Sequence, residues 1–301
     1  MYLGVSLSSG GARGFYQLGA LHAAESNGLL SCAKYYAGTS IGSIISMLLA
    51  VGWSPLELFT TLCTDNFMDT MDFAWDVNRA VTNFGLINIE PLRAYLKKLV
   101  ILKYGGVPTL KQLYDQKKRV FTCAAYRLKH ADPCVYFTYK THPDMSVVDA
   151  CILSSNLPFI FEGLKYKDDY YIDGGLFDHN PLKFLKSFIA EVENDEASTQ
   201  PHHKILSISL NIRSMPASDE SKHENINSIV EYAKEVLLVS LYCQPKIKSS
   251  DSVDSINITT NDQYHLVKLS VDNKTRISWF CNGLEQGLVY FKELQEKATT
   301  S

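Results

Sequence analysis

Apolar and polar positions fall into short blocks along the chain, and each block has a readable period. Tyr2-Leu3-Gly4-Val5-Ser6-Leu7 is an almost unbroken apolar run and predicts a buried strand over 2–8. A helix over 14–27 follows, then a strand over 34–38 and a helix over 41–52 with Ile44, Ile45, Leu48 and Leu49 as its apolar body. Ser54-Pro55 starts another helix, serine capping and proline taking the first turn. Asn88 or Glu90, with Pro91, begins the next, running to about Leu102. Arg119–Leu128 and Cys134–Tyr139 alternate like a pair of strands. A helix over 146–155, a strand at Tyr170-Tyr171-Ile172, a helix over 181–191 and a strand over 204–211 complete the regular part. Residues 192–203 and 212–225 read as polar surface loops. Ile226–Tyr242 and Gly283–Lys297 read as helices, with a strand at Tyr264–Val271 between them. Strands alternating with helices predict an α/β fold, a mostly parallel central sheet covered by helices. The length of 301 residues suits one domain over 1–301, with a motif-bearing core at about 1–210 and a C-terminal elaboration over 211–301.

Composition narrows the function classes. Hydrophobic residues make up 46% of the chain, ample for a core. The net charge of −3 and the lack of a basic block argue against nucleic acid as a partner. Seven cysteines without C-x-x-C spacing suit reduced thiols in a cytoplasmic protein. Met1 runs directly into the first strand and leaves no room for a signal peptide, and no apolar run reaches membrane-spanning length. Any contact with lipid is therefore expected to be peripheral. The sequence does not speak to oligomeric state.

Three segments carry candidate chemistry. Gly38-Thr39-Ser40-Ile41-Gly42 is a G-x-S-x-G pentapeptide between a predicted strand and a predicted helix, the setting of a nucleophile elbow. Ser40 then lies at a helix N-terminus, where free N–H groups favour developing negative charge. By itself the pentapeptide also fits a small-residue helix start in which Ser40 is only an N-cap. Ser8-Ser9-Gly10-Gly11-Ala12-Arg13-Gly14 joins the first strand to the first helix. Such a loop presents backbone N–H groups to an anion. It is a poor nucleotide cradle: Ser9 stands where G-x-G-x-x-G needs its first glycine, and the next strand ends without an acid for a ribose. Asp173-Gly174-Gly175 follows an aromatic strand; alone it is a common turn, and beside the other two segments it is a candidate general base for Ser40.

In this order the three segments resemble the patatin-like phospholipase family, whose pattern is G-G-G-x-R/K-G, then G-x-S-x-G, then D-G-G/A. The resemblance covers roughly 1–210. It implies a patatin-like three-layer α/β/α fold and a lipid acyl hydrolase using a Ser–Asp dyad without histidine, cofactor or metal. Carried over by motif, Ser40 is similar to the nucleophile and Asp173 to its partner. Gly10, Gly11, Ala12 and Arg13 resemble the oxyanion loop, and Gly14, Gly38, Gly42, Gly174 and Gly175 are the motif glycines. Ser154-Ser155-Asn156-Leu157-Pro158-Phe159 and Asn180-Pro181 also fit. The departure is Ser9, which stands for the first loop glycine. The implied function is phospholipase A-type cleavage of a carboxylic ester in a membrane or storage lipid.

Other features read more plainly. Arg13 either holds the loop or meets a phosphate. Asp65, Asp69, Asp72 and Asp76 fall at helical spacing and suit a solvated face better than a metal site. The eight histidines show no ligand spacing; His179, close to Asp173, reads as a turn or cap residue. The aromatic stretch Phe67–Phe84, with Phe15 and Tyr16, suits an acyl pocket, a membrane contact or core. Two other functions fit the same sequence: an α/β-hydrolase-type esterase with a histidine triad, and a non-catalytic lipid- or nucleotide-binding protein.

Overall fold

The computed structural model describes residues 1–65, 82–195, 204–212, 232, 247–260 and 271–300. The strands are β1 (Tyr2–Leu7), β2 (Tyr35–Gly38), β3 (Gly85–Ile87), β4 (Val120–Arg127), β5 (Cys134–Phe137), β6 (Phe159–Phe161), β7 (Leu164–Tyr166), β8 (Asp169–Asp173), β9 (Lys204–Ile212) and β10 (Val253–Thr260). The α-helices are α1 (Gly14–Ser26), α2 (Ile41–Val51), α3 (Pro55–Thr64), α4 (Glu90–Tyr104), α5 (Leu110–Lys117), α6 (Val147–Ser154), α7 (Leu182–Asp195) and α8 (Asn273–Thr300).

Eight strands form one sheet in the order β10-β9-β1-β2-β4-β8-β7, with β5 also paired to β4. The run from β10 to β4 is parallel. The pairs β4–β5, β4–β8 and β7–β8 are antiparallel, so one edge of the parallel sheet is antiparallel. β1 is buried throughout, as a central parallel strand covered on both faces must be. A register shift against β9 between Tyr2 and Gly4 re-aims its side chains. Leu3 joins the small core under α7 with Leu185, Ile189 and Ile205. Val5 and Leu7 join the larger core with side chains of α1, α2 and α8. The result is a mixed α/β fold, a central sheet with helices on both faces.

Most predicted elements are present, and the differences have local causes. α5 was not read from the pattern, although Thr109 and Gln112 form a reciprocal capping box at its start. The strands β3, β6 and β7 have three residues each, too short for an alternation to register. The sequence pattern assigns no element to β10, and its pairing with β9 gives it its structure. The last helix starts at Asn273, ten residues before the predicted Gly283, because Asp272 accepts from the Thr275 N–H at 2.7 Å and caps it. Gly283 is a packing residue instead: a Cβ there would lie 2.0 Å from the Tyr16 carbonyl oxygen. Gly19 meets the Phe280 carbonyl in the same way, so α8 lies directly on α1 and braces the helix behind the glycine-rich loop. Nearly all of the predicted helix 226–242 and of the predicted strand 264–271 lies outside the described residues, as do Asp69, Asp72, Asp76 and most of the stretch Phe67–Phe84.

No single helix among the described residues is long and apolar enough to cross a membrane.

Candidate active site

Topology decides the meeting of the sequence motifs. β4 lies between β2 and β8 in the sheet. Gly38 at the end of β2 is in register with Cys123, and Asp173 at the end of β8 with Ala125. Two residues on one strand thus set the distance between the G-x-S-x-G turn and the D-G-G turn. β1 lies on the other side of β2 and brings Gly10–Gly14 to the same end of the sheet.

Ser40 caps α2 with φ 56° and ψ −125°. A non-glycine residue in this region carries backbone strain of about 1–3 kcal/mol and persists only when its surroundings fix it. The fixing is done by hydroxyls. The Ser40 carbonyl accepts from Ser43 Oγ at 2.6 Å and from Ser155 Oγ at 3.1 Å. Its N–H donates to Ser154 Oγ at 3.2 Å, and Ser154 Oγ donates to the Ala124 carbonyl of β4 at 2.6 Å. The flanking glycines permit the turn by close approach. A Cβ on Gly38 would lie 2.1 Å from the Gly42 oxygen, and one on Gly42 2.5 Å from the Leu7 oxygen.

Asp173 is 1% exposed. Its Oδ1 accepts from the Gly175 N–H at 2.7 Å. Its Oδ2 is buried without a fully formed hydrogen bond, while the Ser40 hydroxyl lies near enough to favour the charged carboxylate. Such long contacts are usual before substrate closes a site. Burial pushes the Asp173 carboxyl up to about 6, with the Ser40 hydroxyl and the Gly175 N–H pulling the other way. Asn156 holds this strand end: its carbonyl accepts the Asp173 N–H at 2.8 Å, and its Nδ2 donates to the Tyr171 carbonyl at 2.9 Å. Ser154-Ser155-Asn156 therefore grips both turns. The sequence pattern alone assigns this tripeptide no role.

Gly10 precedes a short 3-10 turn over Gly11–Arg13 that runs into α1 at Gly14. The first turn of a helix leaves N–H groups without partners, and Gly11 and Ala12 line the same cavity as Ser40. Arg13 is buried, so its side chain belongs to the packed interior behind the loop. Gly174 lies against the Ala124 carbonyl, where a Cβ would come to 2.2 Å.

The cavity is open at its mouth, and its walls are almost wholly apolar. Ile41, Ile44, Ile45 and Leu48 form one stripe of α2 along it, beginning beside Ser40 and extending about 10 Å at 1.5 Å per residue. Leu96 and Leu99 of α4 and Phe15 of α1 also line it.

Competing groups are engaged elsewhere. His179 Nδ1 lies 2.5 Å from Ser9 Oγ. Burial pulls its imidazole down to about 4. His22 pairs with Glu25, His130 with Arg127, and His142 packs on Phe137. His202, His203, His223 and His265 lie outside the described residues. Cys151 touches Ser43, but burial pushes its thiol up to about 12, so it is no nucleophile. Asp65 pairs with Lys98, and among the described residues no three acidic, histidine or cysteine side chains gather as a metal site.

The patatin-like phospholipase pattern matches residues 5–186. A probable lipid hydrolase, 463L, of Invertebrate iridescent virus 6 is 31% identical over 186 residues, covering 60% of this chain and 62% of the relative. A cGAMP-activated phospholipase of Escherichia coli strain TW11681 is 28% identical over 199 residues, covering 59% of this chain and 52% of the relative. The chain thus matches less than two thirds of the length of these curated relatives. In fold it is similar to VipD from Legionella pneumophila, with a TM-score of 0.60 at 16% identity over 97% of this chain and 67% of that one.

Proposed function

The chain belongs to the patatin-like phospholipase family, and on that premise we propose that it is a serine lipid acyl hydrolase of phospholipase A type. It cleaves the carboxylic ester of a membrane or storage lipid through an acyl-Ser40 intermediate, with Asp173 as the base. A lipid ester hydrolase is what the family match and the relatives support. The dyad rests on one observation: a buried carboxylate, raised toward neutrality, faces the hydroxyl of a strained serine at a helix N-terminus.

The steps follow from the geometry. Asp173 takes the Ser40 Oγ proton as Oγ attacks the ester carbonyl carbon. Negative charge builds on the former carbonyl oxygen and meets the N–H groups of the Gly10–Arg13 loop and the start of α2. The tetrahedral species collapses, the carbon–oxygen bond to the leaving alcohol breaks, and Asp173 returns the proton to that alcohol. Water then repeats the sequence on the acyl-serine and releases the carboxylic acid. A carboxylate near 6 suits both halves, ionised enough to accept and acidic enough to donate near neutral pH. His179 Nδ1 is engaged by Ser9, away from Ser40, which favours the dyad over a triad built on that residue.

On this reading the protein meets lipid peripherally from the cytoplasm. The free cysteines among the described residues accord with a reducing compartment. Residues 1–301 then act as one unit, since β9, β10 and α8 extend and brace the sheet and helix that carry the motifs.

The direct test is a fluorophosphonate probe. Peptide mapping is expected to place its adduct on Ser40, and an adduct on any other residue overturns the assignment. The cavity makes a second expectation. Ile44→Trp places an indole in the stripe one turn from Ser40. It is expected to lower kcat/KM on a decanoyl ester by roughly 10-fold or more, while an acetyl ester changes by less than about 3-fold, because only the longer chain needs that space. Equal losses on both esters would mean that the acyl chain lies elsewhere.

A further inference from the structure

We propose that Ser9 and His179 are a positioning pair that fixes the Gly10–Arg13 loop against the turn carrying Asp173. The inference rests on the dyad reading above. Ser9 stands where the family pattern has a glycine, and His179 follows Asp173 by six positions. Two contacts join them. The Ser9 N–H donates to the His179 carbonyl at 2.9 Å, and Ser9 Oγ lies 2.5 Å from His179 Nδ1. The hydroxyl and the ring nitrogen form one short contact, which a neutral imidazole makes in either tautomer. Both residues are buried. The imidazole, pulled down by burial, stays neutral at ordinary pH.

The pair sits between the two halves of the site. A Cβ on Gly175 would lie 2.9 Å from Ser9 Oγ and 3.0 Å from Asp173 Oδ1, so hydroxyl and carboxylate flank the same glycine. On its other side Ser9 leads directly into Gly10 and the turn that lines the cavity with Ser40. Ser8 is already tied down: Gln17 Nε2 donates to its carbonyl at 2.8 Å, and the Leu210 N–H to its hydroxyl at 2.9 Å. Ser9 is therefore the last anchored residue before the loop. Donors to a developing oxyanion act only within a narrow range of distance, and a misplacement of about 1 Å can cost about 100-fold in rate. The Ser9 N–H, spent on His179, is not such a donor. Its side chain gives the loop an anchor that a glycine lacks.

The test measures kcat and KM on p-nitrophenyl butyrate for the full chain, with thermal melting as a check on folding. Ser9→Ala and His179→Ala are each expected to lower kcat about 10- to 100-fold, with KM within about 2-fold of the parent. The double variant should fall no further than the worse single, since both remove one interaction. His179→Asn offers Oδ1 near the position of Nδ1 but cannot act as a base, and it should recover most of the lost kcat. If Ser9→Ala does not fold, Ser9→Gly removes the same hydroxyl at a position where the family pattern has glycine, and the same loss is expected. A kcat within about 2-fold of the parent in both Ser9 variants overturns the pair. So do losses that multiply in the double variant, or a His179→Asn as impaired as His179→Ala. Failure of the dyad reading looks different: Ser40→Ala or Asp173→Asn would retain turnover, whatever the Ser9 variants do.

Discussion

Ser40→Ala is expected to lower kcat on a soluble carboxylic ester by about four to six orders of magnitude, as removal of an acyl-enzyme nucleophile does. The variant should still fold. The hydrogen bonds that hold the elbow run to the Ser40 backbone, from Ser43 and Ser155 to its carbonyl and from its N–H to Ser154. None of them needs the Ser40 hydroxyl. A methyl group fits wherever that hydroxyl did, so the melting temperature should stay close to the parent's. Residual turnover would reflect the loop and helix N–H groups acting on water alone. Turnover within about 10-fold of the parent in a folded Ser40→Ala protein sinks the acyl-serine mechanism.

Asp173→Asn should separate catalysis from stability. The amide keeps the shape but cannot take the Ser40 proton, so kcat is expected to fall by roughly two to four orders of magnitude. Stability should move the other way. The Asp173 carboxyl is raised from 3.8 to about 6 in the folded protein by burial. A group raised in this way contributes stability that is fully present below the unfolded value and is lost as pH rises through the folded one. Above about pH 6 the parent therefore carries an ionised, buried carboxylate at a cost on the order of 3 kcal/mol, at ~1.4 kcal/mol per pH unit. Asp173→Asn is free of that cost. Urea unfolding should show the variant gaining on the parent between pH 4 and pH 7, with the gain flat above that. A difference that does not change with pH would mean that Asp173 is not a buried, raised carboxyl. The rate profile should carry the same group, with kcat/KM falling as pH drops through about 6. An unperturbed histidine titrates near ~6.5, so the acidic limb does not tell aspartate from histidine. The variants do: a triad base at His179 would make His179→Asn as inactive as Ser40→Ala.

Much of this protein is fixed by local sequence. The strand–loop–helix at 2–27 and the strand–elbow–helix at 35–51 follow from unbroken apolar runs with glycines between them, because backbone geometry and burial act over neighbouring residues. The capping box at Ser54 and Glu57 is legible for the same reason. So are the candidate residues Ser40 and Asp173, each marked by its flanking glycines. What no local pattern contains is the distance between them, 133 positions apart in the chain. That is set by β4, which pairs parallel with β2 and antiparallel with β8, and by Ser154-Ser155-Asn156, which bonds to both turns. The bond between Ser9 and His179 is equally invisible in sequence, since each residue alone reads as a departure or a turn. Gly283 shows the same limit. Locally a glycine weakens a helix, and only the crossing of α8 over α1 reveals that a side chain there would strike the Tyr16 carbonyl. Sequence marked the candidate groups, because side-chain identity and local turns are written in adjacent residues. Tertiary structure decided their separation, their burial and hence the raised carboxyl of Asp173, because those depend on which distant strands pair and which helices exclude water.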